Sequence, residues 1–321
     1  MKRISLIIAM LMATTAAMLA QKVQKGTYWQ DGFTFYHANA IDRDGTIHFM
    51  GGSLHEGGSQ FALKPTAKAG EYTLAENEPG NEYSMNVSYR LHQGNRVTLN
   101  TVADKQVLMF YDDNGALNTV LYKFAGDLEQ VMLDDYYTIY AGNYVDTGGK
   151  KYVFTTDGKC QLSGEKATKP YKIEEMYEIP CNVITAANGA QYEMHLTTKG
   201  IDLWHGKYDA YNESFTPDDN VTQLTRTSSP YGQGIWAWAS TQLVTPSLLG
   251  SFDKPTLRLI RNEIWARHGY RFSAPDLQRY FSAQPWYEPG NNNDAIQLSE
   301  IEQFNVDLIK ASENNRDDDT P

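Results

Sequence analysis

From about residue 21 to residue 227 the chain places short runs of β-forming residues between Gly, Asp and Asn breaks, and beyond residue 241 the apolar period lengthens to that of a helix. Phe33–Phe35, Thr46–Phe49, Ser84–Leu91 and Arg96–Leu99 read as strands of an antiparallel unit over residues 21–126. Gln106–Tyr111 and Leu117–Phe124 flank Asp112-Asp-Asn-Gly115, and Asn-Gly supplies the positive φ angles of a tight hairpin. Asp44-Gly45, Asp157-Gly158 and Asn188-Gly189 carry the same signal. Leu128, Val131 and Tyr136 fall near helical spacing and predict a short connecting helix over 127–140. A second antiparallel unit follows to residue 227.

The second unit echoes the first. Gly26-Thr-Tyr28, Phe33–Phe35 and Asp44-Gly45 are matched by Gly142-Asn-Tyr144, Tyr152–Phe154 and Asp157-Gly158. Small β meanders often begin in this order, so repeat and coincidence both fit. Residues 212–234 are polar and rich in Thr, Ser, Asp and Gly, which predicts loop and linker, the linker proper falling at 228–240. The fold class expected is α+β: two β units, meanders or small barrels of a lipocalin-like kind, then a three-helix module at 241–313. Ser312–Pro321 is polar and acidic, and residues 314–321 are expected to form a disordered tail.

Within the helical module each signal has a local cause. Asp253 is placed to cap free N–H groups, and Pro255 falls in the first turn, where a missing N–H costs little. Leu257, Ile260 and Ile264 form one apolar stripe, and Glu263 stands four residues before Arg267, the favourable order for a helical ion pair. Gly269 supplies a left-handed stop after Arg267 and His268. Ser273 with Asp276 predicts the start of a second helix. Ser299 with Glu302 predicts a capping box for the third.

Leu257–Tyr270, Leu277–Phe281, Gln284-Pro-Trp-Tyr287 and Leu298–Glu302 together resemble the YARHG domain, with Trp265 where the name-giving Tyr stands. One aromatic in place of another points to packing at that position. The resemblance covers about a quarter of the chain and implies an exported bacterial protein. It implies no catalytic residues and leaves the activity unassigned.

Charge and cysteine content narrow the picture. The formal charge is −11, and loss of Lys2 and Arg3 with a leader would leave −13, which opposes nucleic acid and anionic membrane as partners. Lys2 and Arg3, the apolar Ile4–Met12 and the small residues up to Ala20 read as a signal peptide over 1–20. No Cys follows for a lipid anchor, and no later run has the ~20 apolar residues of a membrane span. The expected location is periplasmic or secreted. Cys160 and Cys181 are an even pair in an exported chain, which favours a disulfide of roughly 3 kcal/mol, against the alternative of two free thiols in a strand core.

Candidate chemistry is sparse. Arg267 and His268 offer an anion site for a carboxylate or phosphate, or a helix end. Trp286 and Tyr287, with Trp265, offer a sugar-stacking surface, or a core, and Tyr270 is a further ligand-binding candidate. His48–Gly58 lacks the residues of a phosphate loop, and Asp42–Gly45 lacks the further ligands of a calcium loop, so both read as turns. His195, His205, Glu193 and Asp202 fall on one predicted meander. No metal set, cofactor or catalytic group is expected. The leading expectation is a non-enzymatic binding protein for an envelope glycan or envelope protein. A hydrolase of envelope polymer and a carrier of small apolar ligands are the alternatives.

Overall fold

The strands and turns grow out of a recurrent device. Asp112 accepts hydrogen bonds on Oδ1 from the Asn114 and Ala116 N–H groups at 2.9 and 2.8 Å, while Gly115, at φ 78°, donates to the Asp112 carbonyl. Gly115 alone takes positive φ there, so the Asp side chain does the work that the sequence reading gave to Asn114. Asp146 repeats the device with Gly148, Gly149 and Lys150. The computed structural model describes residues 22–31, 35–52, 57–75, 96–124, 128–176 and 179–316. The expected signal peptide, the strand at 84–91, residues 33 and 34 and the last five residues of the expected tail lie outside them.

The chain divides into units of residues 1–125 and 126–321. The first is a closed antiparallel eight-stranded barrel: β1 Tyr28–Gln30, β2 Phe35–Ile41, β3 Ile47–Gly52, β4 Gly57–Pro65, β5 Glu71–Ala75, β6 Arg96–Val102, β7 Lys105–Tyr111 and β8 Leu117–Phe124. Strands pair in sequence order and β8 returns to β1 through Tyr28↔Phe124. Alternate residues point inward. The interior is filled by Trp29, Tyr36, Phe49, Phe61, Leu63 and Phe110, with Phe49 stacked on Phe61 at 4.4 Å and Phe110 edge-on to Phe61 at 6.0 Å. Each such side chain contributes roughly 1.5–3 kcal/mol on burial.

The second unit opens with helix α1, Leu128–Tyr140, as the periodicity predicts. A second closed eight-stranded barrel follows: β9 Gly142–Asp146, β10 Lys151–Phe154, β11 Lys159–Gln161, β12 Lys169–Met176, β13 Ile179–Ala186, β14 Gln191–Leu196, β15 Gly200–Asp209 and β16 Ser214–Ser228. The polar stretch expected to be loop is thus mostly strand. β16 pairs with β15 and closes the barrel on β9, and its composition is polar because most of its residues face water. The two β units share one architecture.

Cys160 and Cys181 are both free, so the expected disulfide is absent. Cys160 on β11 pairs with Lys169 of β12, whereas the Cys181 thiol on β13 donates to the Glu174 carbonyl, five residues further along β12. Two strand spacings and that offset separate the two Cα atoms by well over the ~7 Å limit for a bridge. Burial pushes the Cys160 thiol up to about 11 and also raises Cys181, so both stay protonated.

The C-terminal part holds four helices rather than three: α2 Pro246–Gly250, α3 Lys254–Arg267, α4 Pro275–Ser282 and α5 Glu300–Asn314. Asp253 caps α3 by accepting from Thr256 N at 2.8 Å, with Pro255 in its first turn. Ser299 and Glu302 form the capping box of α5. Ser273 does not cap α4. That helix starts on Pro275 after an uncapped Ala274, and Asp276 is drawn instead to Arg258 of α3.

Candidate functional site

The residues that drew attention at the end of α3 are held from within. His268 ends the helix and its Nε2 lies 2.8 Å from Glu302 Oε1. Burial pushes the Glu302 carboxyl up, but the Ser299 N–H and His268 outweigh it and hold it below the usual carboxylate range. Gly269, at φ 75°, donates to the Ala266 carbonyl, and Tyr270 N–H to the Trp265 carbonyl, the paired bonds of a Schellman stop. A Cβ on Gly269 would lie 2.9 Å from the Glu288 carbonyl oxygen. Arg267 donates to the carbonyls of Gln233 and Tyr231.

The expected Glu263–Arg267 pair gives way to a different arrangement. Glu263 is 1% exposed and accepts from Ile235 N at 3.1 Å and Trp236 N at 2.8 Å. Burial raises its carboxyl to about 7, against the pull of those two N–H groups, Arg267 and Arg226. Gly234 permits the approach, since a Cβ there would sit 2.2 Å from Glu263 Oε1. Two free backbone donors outcompete an exposed i, i+4 partner because an unpaired buried N–H costs more than a surface pair gains.

The aromatic group is a core. Trp265 meets Tyr270 at 5.6 Å, Phe272 stacks on Phe281 at 4.8 Å, and Trp286 lies edge-on to Phe281 at 6.3 Å. Tyr287 donates to the Tyr270 carbonyl at 2.7 Å. Trp265 therefore packs, as its exchange for Tyr suggested. Arg267, His268, Tyr270, Trp286 and Tyr287 come together in one region, and each has a partner inside it.

Residues 233–314 match the YARHG domain. The match starts at Gln233, ahead of the expected boundary at 241, and the structure gives the reason. Gly234–Trp236 is strapped to α3 through Glu263, and the 3-10 turn Ala237–Ser240 is buried against the helices. Asn305 of α5, fully buried, donates to the carbonyls of Ala239 and Gln242 at 2.7 Å and accepts from Val244 N. The YARHG domain thus carries its own N-terminal strap. Comparison with curated proteins and with solved structures gives no match.

Arg226 ties the YARHG domain to the second barrel, and sequence reading missed it because it lies in the polar stretch. Its guanidinium donates to Tyr144 Oη, to the Ile139 carbonyl at 2.7 Å and to the Ile235 carbonyl. Tyr144 donates in turn to the Tyr140 carbonyl at 2.7 Å, and Thr245 to Asp135 of α1 at 2.7 Å. These bonds fix α1 between barrel and YARHG domain.

Beside that junction lies a half-open cleft of about 470 Å³. Tyr136 and Tyr140 of α1, their rings 6.0 Å apart and near parallel, form one wall. Asn182 and His195 come from β13 and β14, and Phe252 and Arg316 from the YARHG side and the chain just beyond it. Burial pushes the Tyr136 hydroxyl up to about 12, so it stays a neutral donor. Asn182 Nδ2 donates to the Met194 carbonyl at 3.3 Å, and His195 Nε2 stands 3.1 Å from Glu193 Oε2. His205 faces the other side of the wall and binds Thr222 Oγ1 at 2.8 Å, so the two histidines do not meet. Among the described residues no three His, Cys, Asp or Glu side chains converge as a metal set, and no helix is long and apolar enough to cross a membrane.

Proposed function

We propose that this is an exported bacterial protein that binds a component of the cell envelope or surface without transforming it, and that the cleft beside α1 is its seat. The observation that carries this reading is the cleft itself. It is concave, within the ~300–1,000 Å³ range of small-molecule sites, and combines an aromatic wall with a few polar groups. That mixture suits a sugar ring, which offers an apolar face and a rim of hydroxyls. The tetrad around His268 is less suited, because its polar groups are already spent on α5, on Gln233 and on its own turn. The leader-like N-terminus and the YARHG match support the envelope as the address.

The test is retention of the purified chain, residues 21–321, on isolated cell-wall and outer-envelope fractions. Wild type is expected to be retained, and Ser251→Trp, which places an indole in the cleft, is expected to elute freely with an unchanged melting temperature. Failure of the wild type to bind any envelope fraction would sink the proposal.

A further inference from the structure

The wall of the second barrel continues outward from the cleft at His195. Register places His195 opposite Asp202, and Asp202 opposite Gln223; two residues along, Glu193 stands opposite Trp204, and Trp204 opposite Val221. The intervening Met194 and Leu203, and Ile201 next to Asp202, are buried inside the barrel, so these six positions share the outer face. Trp204 and Val221 are each 38% exposed there. The Trp204 indole is braced edge-on by the His195 ring at 5.8 Å, and His195 is held in turn by Glu193. No ion pair or side-chain hydrogen bond engages the Asp202 carboxylate among the described residues.

We infer that this strip, with Trp204 as its stacking ring and Glu193 and Asp202 as its acceptors, binds a glycan bearing free amino groups that runs on from the cleft. An indole braced at its edge offers a rigid apolar surface to the C–H face of a pyranose and attracts a cation through its ring quadrupole. Carboxylates stand on both neighbouring pairs, and none of the six positions is Lys or Arg. That charge, on a chain of net −11, repels uronic or phosphorylated sugars and favours an ammonium. β14 and β15 are paired on both sides, so a peptide has no strand edge to extend here. Continuity with the cleft gives the ligand a length of more than one sugar.

This inference rests on the envelope-binding reading but is tested separately. A glucosamine hexamer is titrated calorimetrically into the full chain, with the fully N-acetylated hexamer and an oligogalacturonate as controls. The glucosamine hexamer is expected to bind, and both controls more weakly. Trp204→Ala and Asp202→Asn are each expected to weaken it roughly tenfold, and Thr222→Ser on the inner face to leave it unchanged. Equal affinity for the acetylated hexamer overturns the amine requirement. Unchanged binding by both strip variants overturns the platform. Retention of the chain on envelope fractions with no affinity for the hexamer leaves the envelope reading standing and removes this one. Circular dichroism of Asp202→Asn, an isosteric surface change, guards against a folding defect mistaken for lost contact.

Discussion

Glu263 is fully buried yet ionisable, and its surroundings set the sign of a pH effect. Burial raises its carboxyl from 4.5 to about 7. A group raised in the folded state contributes stability that is fully present below its unfolded value and lost as pH rises through the folded one. Unit 126–321 should therefore lose stability between pH 4.5 and about 7, by at most roughly 3 kcal/mol from this residue. Glu263→Gln should flatten that part of the profile, as read by chemical denaturation at several pH values against wild type. A parallel pair of profiles would show that Glu263 does not titrate in this range. Glu302 makes the contrasting case: against the upward push of burial, the Ser299 N–H and His268 hold its carboxyl below the usual range, so it stays ionised through the same window.

At the scale of elements, α3 is stopped by geometry as much as by propensity. Gly269 needs positive φ, and the Glu288 carbonyl leaves no room for a Cβ. Gly269→Ala should cost about 2 kcal/mol, combining left-handed strain with the displaced Glu288 segment, and a thermal melt followed at 222 nm checks it. The strands make a separate prediction about sulfur. With β12 between them, Cys160 and Cys181 remain thiols, so the denatured, unreduced protein should titrate two thiols per chain and a reductant should leave the melting temperature unchanged. One disulfide found by mass spectrometry under non-reducing conditions would contradict this arrangement.

Within residues 126–321, Arg226 joins barrel, α1 and YARHG domain through one planar donor group. Replacing it leaves the Ile139 and Ile235 carbonyls and the Tyr144 hydroxyl without their charged partner in a buried place. Arg226→Ala should cost roughly 3 kcal/mol and split the unfolding of this unit into two transitions, one for the barrel and one for the helices. Calorimetry tells the two outcomes apart, since a single lowered transition would mean that other contacts couple the two parts. Arg226→Lys should rescue little, because a single ammonium cannot span three acceptors on different elements.

Most of what was legible in the chain was local. Leu257, Ile260 and Ile264 wrote the stripe of α3, Asp253 its cap and Gly269 its stop, and the Asp-Gly turns marked the hairpins, because these features depend on neighbours a few residues away. The YARHG match was legible for the same reason. The remainder depended on contacts between distant parts of the chain. Closure of both barrels required pairing of strands far apart in sequence, and that pairing turned the polar 214–228 stretch into β16. The same pairing drew the two cysteines apart. Packing of the 234–236 segment on α3 turned Glu263 inward, because buried N–H groups at 235 and 236 needed an acceptor more than Arg267 needed a partner. The cleft and the Trp204 strip are likewise set by register, and register is invisible until the sheet closes.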